Sequence, residues 1–143
     1  MRLKIEINTR EHFAVMGIKK KPFSVQTRWF SGNCKISTFS LEELLCTKMR
    51  ALYQRRKGRD LFDLWLGLIE GKADPINIVE IFKYYLKTEG HRITRKDFQK
   101  NLDEKMNHAG FLRDLEPLLS PSVQYDVQVA YALFSKEIIS RLK

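Results

Sequence analysis
Lys48, Arg55, Asp60 and Asp63 are spaced so that two consecutive helices would bring cations and carboxylates together. On a helical wheel Lys48 lies in line with Leu41, Leu44, Leu45, Ala51 and Leu52, and Arg55 extends the same line two turns further. An unpaired ammonium on a core-facing stripe costs several kcal/mol or loses its proton. Two arrangements relieve that cost. The lysine snorkels to the edge of the core or pairs with a carboxylate for structural reasons. Alternatively, the face lines a cleft where an anion such as a phosphate supplies the countercharge. Asp60 and Asp63 raise the same question from the next segment. With Gly67 they form a narrow polar strip on Arg59–Ile69, which is otherwise apolar nearly all round and therefore reads as buried. The helix dipole alone accounts for an acid at Asp60, in a first turn, but not for Asp63.

The elements that must position these residues follow from local signals. Ser40 and Glu43 form an S-x-x-E capping box, with Phe39 and Leu44 placed as a hydrophobic staple, so a helix starts here. Glu42, Glu43, Arg50 and Gln54 fall away from its apolar line. Gly58 reads as the stop of that helix, and Arg59 opens the next.

At this point the residues carry a resemblance. The string EELLCTKMRALYQRRKGRDLFDL resembles the signature of the AbiEii/AbiGii toxin family of nucleotidyltransferases. That signature is an acid, a lysine five residues later, then R-x-x-x-R-D-x-x-D, filled here by Glu43, Lys48, Arg55, Arg59, Asp60 and Asp63. The resemblance implies a prokaryotic abortive-infection or type IV toxin–antitoxin role, with Lys48, Arg55 and Arg59 on nucleotide phosphates and Lys48, Asp60 and Asp63 as catalytic candidates. It implies Mg2+ and a nucleoside triphosphate as cofactor and donor, with a nucleotide, tRNA or another RNA, and a cognate antitoxin as partners. Family members also carry an upstream Gly-Ser turn and an Asp-x-Asp pair that holds metal and phosphates. Neither occurs in this sequence, which resembles the C-terminal part of such an enzyme. The expectation is a chain that contributes to a phosphate site without catalysing transfer alone. Nucleotidyltransferases of this class place a third carboxylate on a following strand, and Glu6 in Lys4-Ile5-Glu6-Ile7 resembles it. A solvent-facing Glu on an edge strand fits that position equally. The alternative to this whole reading is a non-catalytic RNA-binding or antitoxin-docking helical domain.

Composition agrees with a soluble cytoplasmic protein. At 143 residues, 43% hydrophobic and 30% charged, the chain is long enough for one domain with a core. No apolar run approaches a membrane span and Met1–Glu6 is no signal peptide. Cys34 and Cys46 lack metal or redox spacing and read as free thiols. His12, His91 and His108 lack ligand spacing and read as surface residues. The net charge of +9 concentrates in Lys19-Lys20-Lys21 and in Arg55-Arg56-Lys57-Gly58-Arg59. Such clusters suit a polyanion, and equally a solvated turn or helix end.

The predicted fold is α+β: a small antiparallel sheet over residues 1–39, then a helical array over 40–143, in a single domain. Leu3, Ile5 and Ile7 alternate as a strand, and Phe13–Ile18 is a second strand or a connector. Lys19–Pro22 reads as a turn, Phe23–Phe30 as a strand, Ser31–Asn33 as a turn and Lys35–Phe39 as a strand. Asp74-Pro75 caps a helix with core face Ile76, Val79, Phe82 and Leu86, closed by Gly90. Thr94 and Asp97 cap another, with Phe98, Leu102 and Met106 inward and a stop at Gly110. Phe111–Leu119 reads as a short helix broken at Pro117, and Ser120-Pro121 as the cap of the last.

Overall fold
The computed structural model describes residues 14–143 apart from Pro121. The strand read over Leu3–Ile7, together with Glu6, His12 and Phe13, lies outside the described residues. The fold is α+β, with a two-stranded antiparallel sheet followed by six α-helices among the described residues. The chain divides after Ser40 into two compact units.

In the first unit, strands β1 (Lys19–Gln26) and β2 (Ser31–Thr38) pair from Lys19 opposite Thr38 to Gln26 opposite Ser31. Residues 14–18 form a connector. The turn lies at Thr27–Phe30, not at Lys19–Pro22 or Ser31–Asn33, so the expected strand over Phe23–Phe30 is cut at Gln26. Thr27 sets that turn. Its Oγ1 accepts from the Trp29 and Phe30 amides, at 3.3 and 3.0 Å, and its own amide donates to the Phe30 carbonyl at 2.8 Å. A hydroxyl that offers the backbone a local partner initiates a turn without glycine or proline. The lysine triplet and Pro22 instead occupy β1; among the described residues both strands are sheet edges, which tolerate charge and a missing amide donor.

The second unit is built around α1 (Leu41–Gln54), which packs against α2 (Gly58–Ile69), α3 (Pro75–Thr88) and α4 (Arg95–Met106). Helix α6 (Val127–Glu137) packs on α2, and α5 (Ala109–Leu112) and a closing 3₁₀ turn (Ile139–Arg141) complete the array. Phe98 of α4 is the hub of the core. Its ring centroid lies 5.3 Å from Tyr53, 6.0 Å from Phe82 and 5.7 Å from Phe134, so one side chain ties α1, α3 and α6 together.

Local caps behave as their chemistry requires. The Asp74 carboxylate accepts from the Ile76 amide at 2.9 Å with Pro75 at the first helical position, and Gly90 follows α3 at φ +70°. Thr94 and Asp97 form a full reciprocal capping box.

Several expectations fail where tertiary packing decides. The buried line of α1 is Leu45, Cys46, Met49 and Leu52, together with Glu43, whereas Leu41 and Leu44 are each more than a third exposed. The wheel is therefore rotated, and Lys48 sits on the flank of the core stripe rather than in its middle. Glu43, expected on the outer face, is fully buried and accepts from the Tyr85 hydroxyl of α3 at 2.9 Å. Arg50, also placed outward, lays its guanidinium over the Tyr85 ring at 4.9 Å and pairs with Glu89. Ile76 is exposed because the inward face of α3 runs through Ile78, Phe82 and Tyr85. Gly110 lies inside α5, and Arg113–Leu118 forms turns rather than helix. The last helix begins at Val127, later than expected, because Asp126 caps it by accepting from the Gln128 and Val129 amides. Both cysteines are free, Cys34 exposed and Cys46 buried. His91 and His108 are exposed.

Candidate phosphate-facing site
Helices α1 and α2 run antiparallel, and the polar strip on α2 is their contact line. At the connector end Arg55 meets Asp60; further along, Lys48 meets Asp63. Beyond them Leu45 lies against Gly67 and Leu41 against Gly71, so close that an added Cβ on either glycine would sit within 2.7 Å of a leucine methyl. Small residues admit bulky ones, and each carboxylate receives a cation. The strip that looked like a polar exception is thus the seam of a helical hairpin.

The two ion pairs differ in kind. Arg55 donates Nε and Nη2 to the two oxygens of Asp60, both at 2.7 Å, in the bidentate geometry that a guanidinium and a carboxylate share. The Asp60 side chain is 0% exposed and that of Arg55 50%. Asp60 is thereby an anchor, and its bonds hold the Arg55 guanidinium charged, with its pKa raised above the ordinary value. Lys48 Nζ stands 2.8 Å from Asp63 Oδ2, with the side chains 40% and 36% exposed. That pair keeps water access, free ammonium protons and a second carboxylate oxygen. The sequence spacing brought Lys48, Arg55, Asp60 and Asp63 together as expected.

The connector between the helices, Arg55–Lys57, is pinned from a distance. Gly58 is the first residue of α2, not the stop of α1. A Cβ there would lie 2.3 Å from the Phe111 carbonyl oxygen, so no other residue fits without moving backbone. Asp114, in the turn after α5, accepts from the Arg59 amide at 3.2 Å and lies 3.6 Å from Lys57 Nζ. It caps α2 in place of a local residue, since the Lys57 N-cap side chain makes no capping bond. The Arg56 and Arg59 side chains are exposed and make no ion pair among the described residues. The result is a tethered turn that holds two exposed guanidinium groups beside the paired Arg55 and Lys48.

One buried charged side chain escaped the sequence reading. Lys105 of α4 is only 6% exposed, and its Nζ donates to the Leu52 carbonyl, to the Tyr53 carbonyl at 2.8 Å and to Asn101 Oδ1 at 2.6 Å. The last carbonyls of a helix have no partner within it, and here a buried ammonium supplies one. Burial, and then the nearby Arg56 charge, pull its pKa down to about 8, against the opposing pull of Asp60 and Glu104.

Glu6 lies outside the described residues, and Glu43 is spent on holding α1 to α3. Among the described residues no three His, Cys, Asp or Glu side chains cluster so as to hold a metal ion, and no helix is long and apolar enough to cross a membrane. A cavity of about 850 Å³ lined by Thr94, Arg95, Gln99 and Lys143 lies along α4 and includes none of the paired charges.

No curated protein and no solved structure matches the chain. A family described as "Nucleotidyl transferase AbiEii toxin, Type IV TA system" matches residues 1–132, a span that takes in both ion pairs and the basic connector. On that match, the chain belongs to the AbiEii nucleotidyl transferase toxin family of type IV toxin–antitoxin systems.

Proposed function
We propose that the α1–α2 seam contributes fixed cations and carboxylates to a nucleotide or RNA phosphate site of the toxin. The observation that carries this is the asymmetry of the Arg55–Asp60 pair. A fully buried carboxylate holds a half-exposed guanidinium by two bonds, which orients its remaining donors outward at little entropic cost. Lys48, partly exposed on the same face of α1, and the exposed Arg56 and Arg59 extend the cationic surface. Such preorganised cations stabilise the charge spread over a transferring phosphoryl group. Asp60 positions Arg55. Asp63 orients Lys48 and keeps one oxygen with which to accept a proton from an attacking hydroxyl. The family implies an antitoxin partner and, generally, metal and nucleoside triphosphate use. The described residues form no seat for a metal, and Asp60 and Asp63 are engaged with Arg55 and Lys48, so no step here runs through one.

Binding of labelled single-stranded RNA tests the reading. Neutralising about three phosphates predicts a slope of roughly −2 in log affinity against log salt. Lys48→Met should lower affinity while changing stability by less than about 1 kcal/mol, because its pair with Asp63 is water-accessible. A salt-independent affinity, or RNA affinity unchanged in both Lys48→Met and Arg56→Gln, would favour a protein-docking role and overturn the proposal.

A further inference from the structure
We propose that Lys105 is a positioning residue for the basic connector, and that phosphate binding on the connector is coupled to the Lys105 proton. The inference rests on the phosphate-site reading above and extends it to a residue on a different helix. The geometry is specific. The ammonium holds the Leu52 and Tyr53 carbonyls at the end of α1, and the backbone leaves those carbonyls through Gln54 directly into Arg55 and Arg56. Asn101, one turn earlier on α4, takes a further ammonium proton and fixes the side chain from its own helix. The C-terminal turn of α1 is thus set by α4, and with it the point from which the cationic connector departs.

The same placement makes the position electrically responsive. The charged groups facing Lys105 are Arg56 on the connector, Asp60 on α2 and Glu104 on its own helix. Burial disfavours the ammonium and Arg56 repels it, against the pull of Asp60 and Glu104, so its pKa is pulled down to about 8. A phosphate bound on Arg56 screens that repulsion and adds negative charge close by. The ammonium then holds its proton more tightly, and by linkage the protonated protein binds phosphate more tightly. A lysine that served packing alone would cap the helix without moving the pH dependence of binding.

The test is the affinity of the full chain for a single-stranded oligoadenylate between pH 7 and pH 9, a window in which its phosphodiesters and bases do not titrate. If binding moves the ammonium's midpoint up by about one pH unit, affinity falls roughly fivefold across the window. Lys105→Met should bind several-fold more weakly at pH 7 and lose most of that pH dependence. Should that variant fail to fold, Lys105→Arg decides, because a guanidinium stays charged throughout and its affinity should be flat with pH. Arg56→Gln separates the two readings. If Arg56→Gln and Arg59→Gln leave affinity intact, the phosphate site itself fails, and this inference with it. If they weaken binding while the Lys105 variants keep the wild-type pH dependence, the phosphate site stands and the role of Lys105 is refuted.

Discussion

Arg55→Met and Asp60→Asn break the same ion pair, yet they should not cost the same. The Asp60 side chain is fully buried, whereas half of the Arg55 side chain reaches solvent. Arg55→Met strands a carboxylate away from water, while Asp60→Asn leaves a guanidinium that turns outward and rehydrates. Removing one partner of a fully buried pair costs about 3–5 kcal/mol. Two features lower the figure here. Asp60 stands in the first turn of α2, where the helix dipole favours a carboxylate by up to ~1 kcal/mol. The open side of the pair also gives water a route to the vacated position. Arg55→Met is therefore expected to destabilise by about 2–3 kcal/mol, and Asp60→Asn by about 1 kcal/mol. Urea unfolding followed by far-ultraviolet circular dichroism at pH 7 reads both, since the loss lies in a helical unit. Equal costs, or a larger cost for Asp60→Asn at an unchanged denaturant slope, would refute the account of Asp60 as the buried anchor.

Gly58→Ala should destabilise by about 1–3 kcal/mol because its Cβ meets the Phe111 carbonyl at 2.3 Å, while Gly110→Ala, with nothing nearer than 3.5 Å, should not; equal melting temperatures for the two variants would contradict this. The Lys105 pKa of about 8 lies below its ordinary 10.5, so between those values the unfolded chain binds more protons and stability rises with pH. Wild type should accordingly gain on Lys105→Met from pH 8 to 10.5, by at most about 3 kcal/mol, and a flat or falling difference in unfolding free energy would be inconsistent with it. Incubated with labelled nucleoside triphosphates, magnesium and bulk tRNA, the 143-residue chain should transfer no label, since its sequence contains no Asp-x-Asp pair to hold the triphosphate; clear incorporation would defeat that expectation.

By itself the sequence determined much of what depends on neighbours a few residues apart. The caps at Asp74 and Thr94, and the left-handed turn at Gly90, involve partners within one helical turn, so their residue types suffice. The meeting of Lys48 and Arg55 with Asp60 and Asp63 was legible for a related reason. Two helices joined by a three-residue connector must fold back on each other, and facing charges must then neutralise one another. What tertiary structure decided involves partners far along the chain. Which face of α1 turns inward depends on α3, whose Tyr85 gives Glu43 a buried partner that no helical wheel reveals. The hairpin turn is the local exception: the Thr27 hydroxyl accepts from amides two and three residues on, a signal weaker than the Ser-Gly-Asn that outranked it on composition. Gly58 reads as a stop by type, but its smallness answers to the Phe111 backbone. Asp114 and Lys105 look like ordinary surface charges in their own segments. They became a helix cap and a buried clamp because the fold leaves the Arg59 amide and the Leu52 and Tyr53 carbonyls without local partners. A backbone group in need of a distant side chain leaves no mark on the sequence near either one.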